Sequence, residues 1–240
     1  MELRRELVPD SGVYPFNLPV VRNLERLDFH PQVTFLVGEN GSGKSTLIEA
    51  LAVAAGFNAE GGSSNFRFAT RRSESPLHQH IRLARGIRRP KTGYFLRAES
   101  FFNVATEIDR LDSEPSFGPK AIESYGGTPL HEKSHGESFM ALVTKRFGAN
   151  GLYILDEPEA ALSPQRQLAL LAVMNDLTHQ QCQFVISTHS PLLMAFPAAR
   201  IYQLSETGIS VVPYEETEHY FLTRDFLSNR EKYFREILKR

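Results

Sequence analysis

The sequence predicts an α/β fold of three layers, helices packed on both faces of a largely parallel β-sheet. Three observations carry that expectation. Apolar runs bounded by turn signals alternate with segments of helical spacing along the 240 residues, the pattern of strands and helices that thread a parallel sheet. The runs 33–37 and 151–155 are close to continuously apolar, as expected of strands covered on both faces. The first run leads into Gly38-Glu-Asn-Gly-Ser-Gly-Lys-Ser-Thr46, which meets the pattern G-x-x-x-x-G-K-S/T at Gly38, Gly43, Lys44 and Ser45.

Strand, glycine loop and helix in that order form a phosphate cradle. The loop can turn its backbone N–H groups toward phosphate oxygens at a helix N-terminus, and glycines remove the Cβ atoms that would block the approach. Asn40, Gly41, Ser42, Gly43, Lys44, Ser45 and Thr46 are therefore the expected nucleotide contacts. Lys44 would reach the β- and γ-phosphates, and the Ser45 hydroxyl would ligate Mg²⁺. These residues predict a chain that binds a nucleoside triphosphate.

After the first helix (46–55), residues 56–92 are poor in apolar side chains and rich in Gly, Ser, Asn and Arg, which reads as an irregular excursion long enough to serve a function. A strand at 93–97 and a helical stretch at 101–111 follow, then a Gly/Pro-rich loop through 113–136. Phe139, Leu142 and Val143 share one face of a helix predicted over 137–147. Next come the strand at 151–155, a helix opened by Ser163-Pro164 and running to about His179, and a strand at 183–187. A closing pair of strands at 201–204 and 209–212 precedes a helical tail. One domain over 1–240 is expected, with 56–136 as an inserted irregular and helical lobe and 215–240 as the tail.

Hydrophobic content of 41% and charged content of 23% belong to an ordinary globular protein. The formal net charge is -1, yet Arg67, Arg71, Arg72, Arg82, Arg85, Arg88, Arg89, Lys91 and Arg97 fall in one stretch with Glu74 as its sole carboxylate. That stretch can bind a nucleic-acid backbone, or form a solvated lobe or pair with the acidic remainder of a second subunit. A single cysteine, Cys182, excludes an internal disulfide and fits a small core residue. No run approaches the ~18 apolar residues of a membrane helix, and the N-terminus lacks a signal-peptide stretch. The expectation is a cytoplasmic protein with no direct membrane insertion.

The strand at 151–155 delivers Asp156 and Glu157 at its carboxy end, where parallel sheets bind ligands. The first can hold Mg²⁺, and the second can polarise the attacking water. One strand later, Ser187-Thr-His189 places a histidine beside the expected γ-phosphate, as a polar sensor of that group. Two further histidine pairs, His131 with His135 and His78 with His80, lack the setting of a metal site.

Together these motifs resemble the ATP-binding-cassette ATPases. Gly38–Thr46 looks like the family's Walker A loop, and Leu152-Tyr-Ile-Leu-Asp-Glu157 like its Walker B strand with the catalytic glutamate. Ala160-Ala-Leu-Ser163 resembles the D-loop, and His189 the switch histidine. Lys133-Ser-His-Gly-Glu137 stands where the signature loop Leu-Ser-Gly-Gly-Gln should be, with Ser134, Gly136 and Glu137 in matching places and His135 replacing the first glycine. The family's Q-loop glutamine has no clear counterpart: Glu99 is better placed than Gln79 to meet Mg²⁺ or its water. Tyr14 or Phe16 can stack on adenine, or serve packing instead.

The resemblance implies an ATPase head of the chromosome-maintenance, DNA-repair or prokaryotic defence branches, without membrane domain or coiled-coil arm. It further implies an ATP-dependent homodimer, in which Ser134, Gly136 and Glu137 of one chain close over the nucleotide of the other. Glu157, His189 and Lys44 would be catalytic, with Ser45, Asp156 and Glu99 on the metal. Those branches work with a partner effector protein; the alternatives are the ATP-binding subunit of a membrane transporter and a non-hydrolytic scaffold gated by nucleotide, against which Glu157 argues.

Overall fold

The computed structural model describes residues 1–63, 75–87, 89–98, 106, 110 and 134–238. Glu99, Arg67, Arg71, Arg72, Arg88, Glu74, His131, Lys133 and most of the helix expected at 101–111 lie outside the described residues.

The strands are β1 (Glu2–Leu3), β2 (Val33–Val37), β3 (Ile81–Arg82), β4 (Thr92–Arg97), β5 (Gly151–Asp156), β6 (Gln183–Ser187), β7 (Arg200–Ser205) and β8 (Gly208–Val211). The helices are α1 (Pro19–Arg22), α2 (Lys44–Ala55), α3 (His135–Arg146), α4 (Pro164–His179), α5 (Pro191–Met194), α6 (Glu218–Ser228) and α7 (Arg230–Ile237). Six strands form the central sheet in the order β4-β5-β6-β2-β7-β8. All neighbours run parallel except β8, which returns antiparallel to β7 at the edge. β1 and β3 form a separate two-stranded ribbon that the sequence did not reveal. Two-residue strands are too short for a period to show.

Each parallel strand sends alternate side chains to opposite faces. Phe35, Val37, Leu96, Tyr153, Leu155 and Phe184 join Phe139 and Leu142 of α3 and Leu170 and Met174 of α4 in one core cluster. Leu36, Phe95, Ile154 and Val185 join Val20 and Val21 of α1 and Leu47, Ile48 and Leu51 of α2 in the other. The three expected layers are present. On the α3/α4 face, register aligns Tyr94, Tyr153 and Phe184 across three strands. Phe147 stacks on the Tyr153 ring at 3.9 Å. Truncating Phe184, which is fully buried, costs about 3–5 kcal/mol for a large aromatic in a close-packed core.

The predicted strands and helices within the described residues are observed, most within two residues of their expected ends. One boundary moved: α3 starts at His135, because Ser134 and Glu137 cap it two residues earlier than the apolar pattern begins. The tail breaks into two helices at Asn229, and neither contains a buried residue.

Candidate active site

Strand register does the first part of the assembly. Arg97 pairs with Asp156, and Asp156 with Ser187, so the three sit side by side at the carboxy ends of β4, β5 and β6. By the period of two they point to the α2 face, with Phe95, Ile154 and Val185. There α2 presents Ser45 and, one turn on, Glu49. Ser187 Oγ donates to Asp156 Oδ1 at 2.5 Å, and Ser45 Oγ to the same oxygen at 3.3 Å. Arg97 lies 3.5 Å from Asp156 Oδ2 and donates to Glu49 at 2.8 Å.

Burial raises the Asp156 carboxyl above its ordinary range, and the donors Ser187, Arg97 and Ser45 only partly offset it. A carboxylate and a hydroxyl oxygen side by side are the hard donors Mg²⁺ prefers, with room left for water and phosphate oxygens. The residues present therefore fit that ion. Glu99 lies outside the described residues; at the end of the same strand it is Arg97 that meets Asp156.

The loop between β2 and α2 has the backbone its sequence demands. Gly38 and Gly43 take positive φ, 150° and 95°. A Cβ on Gly38 would strike the Leu204 carbonyl, and one on Gly43 would come within 2.6 Å of Val20 Cγ2. Gly43 stands at the N-cap of α2 with no side-chain cap, so the first-turn N–H groups meet no capping side chain. Lys44 is 4% exposed, and its ammonium donates to the carbonyls of Gly38 at 2.8 Å and Glu39 at 3.0 Å. Burial lowers its pKa, against the upward pull of Glu157, Asp156, Glu159 and Glu39.

Glu157 follows Asp156 with φ of 50°, a left-handed turn rare for glutamate. Its N–H donates to Ser187 O at 3.1 Å, which ties the turn to β6. The carboxylate is about one third exposed and lies 3.5 Å from His189 Nε2. Held strain of this kind is a marker of functional turns. Glu159 then reaches back, accepting from Thr188 Oγ1 at 2.8 Å and from the His189 N–H at 2.6 Å. Burial raises its pKa as well. Gln167 of α4 accepts from Ser190 Oγ at 2.5 Å. The loop after β5 and the loop after β6 are thus bolted together.

Sequence reasoning missed Glu159, Gln167 and His219. Glu159 had a signal, a third carboxylate two residues after Glu157. Gln167 and His219 had none, since their roles come from neighbours far along the chain.

A cavity of about 160 Å³ opens beside these groups, lined by Ser45, Ala98, His135, Asp156, Glu157, Ala160 and Ala161. His135 thus stands on the same cavity as its own chain's Ser45 and Asp156. Behind it, Glu137 accepts from Ser134 N at 3.0 Å and Ser134 Oγ at 2.7 Å, and lies 3.3 Å from Arg166. Gly136 packs where a Cβ would meet Arg166 and, at 2.9 Å, the Ala161 carbonyl.

Phe16 is buried at 3% exposure, its ring 4.8 Å from His80, so it belongs to the core. Tyr14 stays 59% exposed with its hydroxyl 3.1 Å from Thr46 Oγ1. Arg97 turns inward to Glu49 and Asp156 and leaves the exposed basic set. Cys182 is buried, as expected. Among the described residues no group of three potential metal-binding His, Cys, Asp or Glu side chains occurs, and no helix is long and apolar enough to cross a membrane.

Two family models match overlapping stretches of the chain. One, described as "AAA domain", covers residues 12–113; the other, described as "AAA domain, putative AbiEii toxin, Type IV TA system", covers residues 109–195. The chain is 29% identical over 198 residues to the "Putative ribose/galactose/methyl galactoside import ATP-binding protein 2" of Agrobacterium fabrum, covering 71% of this chain and 36% of the relative. It is 26% identical over 160 residues to the zinc import ATP-binding protein ZnuC of Buchnera aphidicola, covering 66% and 63%. It therefore spans little more than a third of the length of the first of these relatives. Among solved structures, the SMC head domain from Thermotoga maritima aligns at 16% identity and a TM-score of 0.41, over 78% of this chain and 92% of that one. The phosphate loop and the Asp156-Glu157 strand end fall within the stretches matched by the two AAA-domain models, and the chain is similar to ATP-binding proteins of import systems.

Proposed function

We propose that the chain hydrolyses Mg²⁺-ATP as part of a head-to-tail homodimer, and that hydrolysis releases the dimer. The observation that carries this reading is the convergence of Lys44, Ser45, Asp156, Glu157 and His189 at the carboxy ends of the interior strands β2, β5 and β6, with Glu157 in reach of His189 at 3.5 Å. Lys44 and the N–H groups of residues 41–45, with Asn40 and Thr46 at either end of the loop, would hold the phosphates. Ser45 and Asp156 would hold Mg²⁺, which supplies neutralisation of the charge that develops on the transferred phosphoryl group. Glu157 would orient water and accept its proton at the carboxylate, while His189 presents a ring nitrogen toward the γ-phosphate. Ser134, Gly136 and Glu137 would face the nucleotide of the second chain, with His135 between the two halves. A metal role for Glu99 stays within this proposal.

Glu157→Gln keeps the shape of the side chain and removes the base. It should bind ATP, lose hydrolysis by on the order of a hundredfold or more, and accumulate as an ATP-dependent dimer in size-exclusion chromatography with light scattering. A variant that binds ATP and stays monomeric would sink the dimer.

We place the activity in nucleic-acid maintenance, repair or defence, acting with an effector protein. The second family description, which names a toxin of a Type IV TA system, supports the defence arm. Exposed Arg82, Arg85, Arg89 and Lys91 support nucleic-acid contact. If they serve it, Arg85→Glu with Arg89→Glu weakens DNA binding measured at low salt by fluorescence anisotropy. A second reading, the ATP-binding subunit of a membrane transporter, is favoured by the names of the import relatives. Capture with Glu157→Gln and ATP separates the two, by whether nucleic acid, a soluble effector or a membrane protein is retained.

A further inference from the structure

His219, at the start of the tail, reaches the site. His189 Nδ1 and His219 Nε2 are 3.0 Å apart, a hydrogen bond between imidazoles. The other nitrogen of His189 is the one 3.5 Å from Glu157 Oε1. The segment that carries His219 is fastened to the turn directly after His189. Tyr214 Oη donates to Pro191 O at 3.0 Å, Thr217 is fully buried with Oγ1 donating to Tyr214 O at 2.7 Å, and the Tyr214 and Tyr220 rings lie 4.5 Å apart. Outside this anchorage α6 and α7 bury nothing.

Proton placement then has two solutions. Burial holds both rings below the ordinary histidine pKa, with Lys44 adding to the effect on each, so each carries one proton at neutral pH. If His189 donates from Nδ1, its Nε2 lone pair faces the Glu157 carboxylate, and His219 Nδ1 becomes an N–H donor that is buried without a hydrogen-bond partner. If His219 donates from Nε2, His189 carries its proton on Nε2, a buried N–H that faces the Glu157 carboxylate at 3.5 Å without a hydrogen bond, and a lone pair is left unpaired at His219 Nδ1. Each arrangement leaves one buried N–H without a hydrogen bond, but the first sets a lone pair against the Glu157 carboxylate, whereas the second points an N–H at that negative charge.

We propose that His219 is a positioning residue of this site, whose Nε2–H donates to His189 Nδ1 and so fixes the His189 proton on Nε2, facing Glu157. Its catalytic consequence rests on the ATPase reading above, whereas the hydrogen bond itself does not. A switch histidine held in one tautomer presents a constant N–H donor beside the base. Without its partner the ring divides between tautomers and orientations.

Two measurements test it. In the nucleotide-free wild-type chain labelled with ¹⁵N-histidine, long-range ¹H–¹⁵N spectra should show His189, assigned by its loss in His189→Asn, as the Nε2–H tautomer. A Nδ1–H tautomer overturns the proposal. His219→Leu should lower kcat by about tenfold or more with ATP affinity changed less than about twofold, and His219→Gln, which keeps an N–H donor at the same position, should recover most of the loss. Equal losses in the two variants, or wild-type turnover in His219→Leu, overturn it. A chain that shows the Nε2–H tautomer but hydrolyses no ATP upholds the hydrogen bond and strikes instead at the ATPase reading.

Discussion

Two helix N-termini border the cavity, and they are built in opposite ways. Helix α2 begins after Gly43, in a left-handed conformation, with no side chain capping its first turn. Helix α3 begins after Ser134 with a full capping box, Glu137 returning to the Ser134 N–H and hydroxyl. A helix N-terminus attracts one anion. At α2 no acidic residue stands in the first turn and no side chain caps it; at α3 the chain supplies its own carboxylate. Ser134 and neighbouring Arg166 lower the Glu137 pKa and hold it charged. The uncapped terminus of α2 is thus open within one chain, whereas the terminus of α3 is already occupied by Glu137.

Experiments that break or sharpen this contrast differ in size. Lys44→Ala should weaken ATP binding the most, by on the order of a hundredfold, because a charge-assisted phosphate contact is lost from a desolvated loop; isothermal titration measures it, and tight binding by the variant would remove α2 from its role. Glu159→Ala leaves the His189 N–H and Thr188 hydroxyl without their acceptor. A loss of about 1–3 kcal/mol in denaturant stability is expected, together with reduced turnover. Stability unchanged in urea titration would show that water replaces the carboxylate.

A pH effect should be smaller. His189 and His219 have lowered pKa values in the folded chain, so between those values and about 6.5 the unfolded chain binds more protons. Stability therefore falls as pH drops through that window, and His219→Gln should flatten the melting temperature plotted against pH. The smallest changes belong to α3. Ser134→Ala should reduce turnover several-fold if that hydroxyl reaches a second chain's phosphate, and Glu137→Gln should strengthen the ATP-dependent dimer about twofold by removing like charge. Dimer affinity that falls in Glu137→Gln would mean the capping box serves the interface itself.

The parts legible in the sequence were those with a local cause. Continuous apolar runs marked β2 and β5, because a strand covered on both faces has nowhere to put polar side chains. The glycines of the phosphate loop were legible because only they tolerate the backbone the loop needs. Ser163-Pro164 announced α4 through its cap. Arg97 was read among the basic stretch but turns inward, since strand register, invisible in one strand, sets it beside Asp156. Phe16 and Tyr14 are equivalent aromatic candidates in the sequence; packing sends one to the core and leaves the other beside Thr46.

By itself the sequence determined the layers of the fold, the nucleotide loop and the pair Asp156-Glu157, all of them fixed by residue type and short-range spacing. Only the tertiary structure decided who holds whom: Arg97 on Asp156, Glu159 on the His189 loop, and His219 on His189 from 30 residues away. Hydrogen bonds and burial act through space, and the chain's order does not record which distant side chains the folded sheet will bring together.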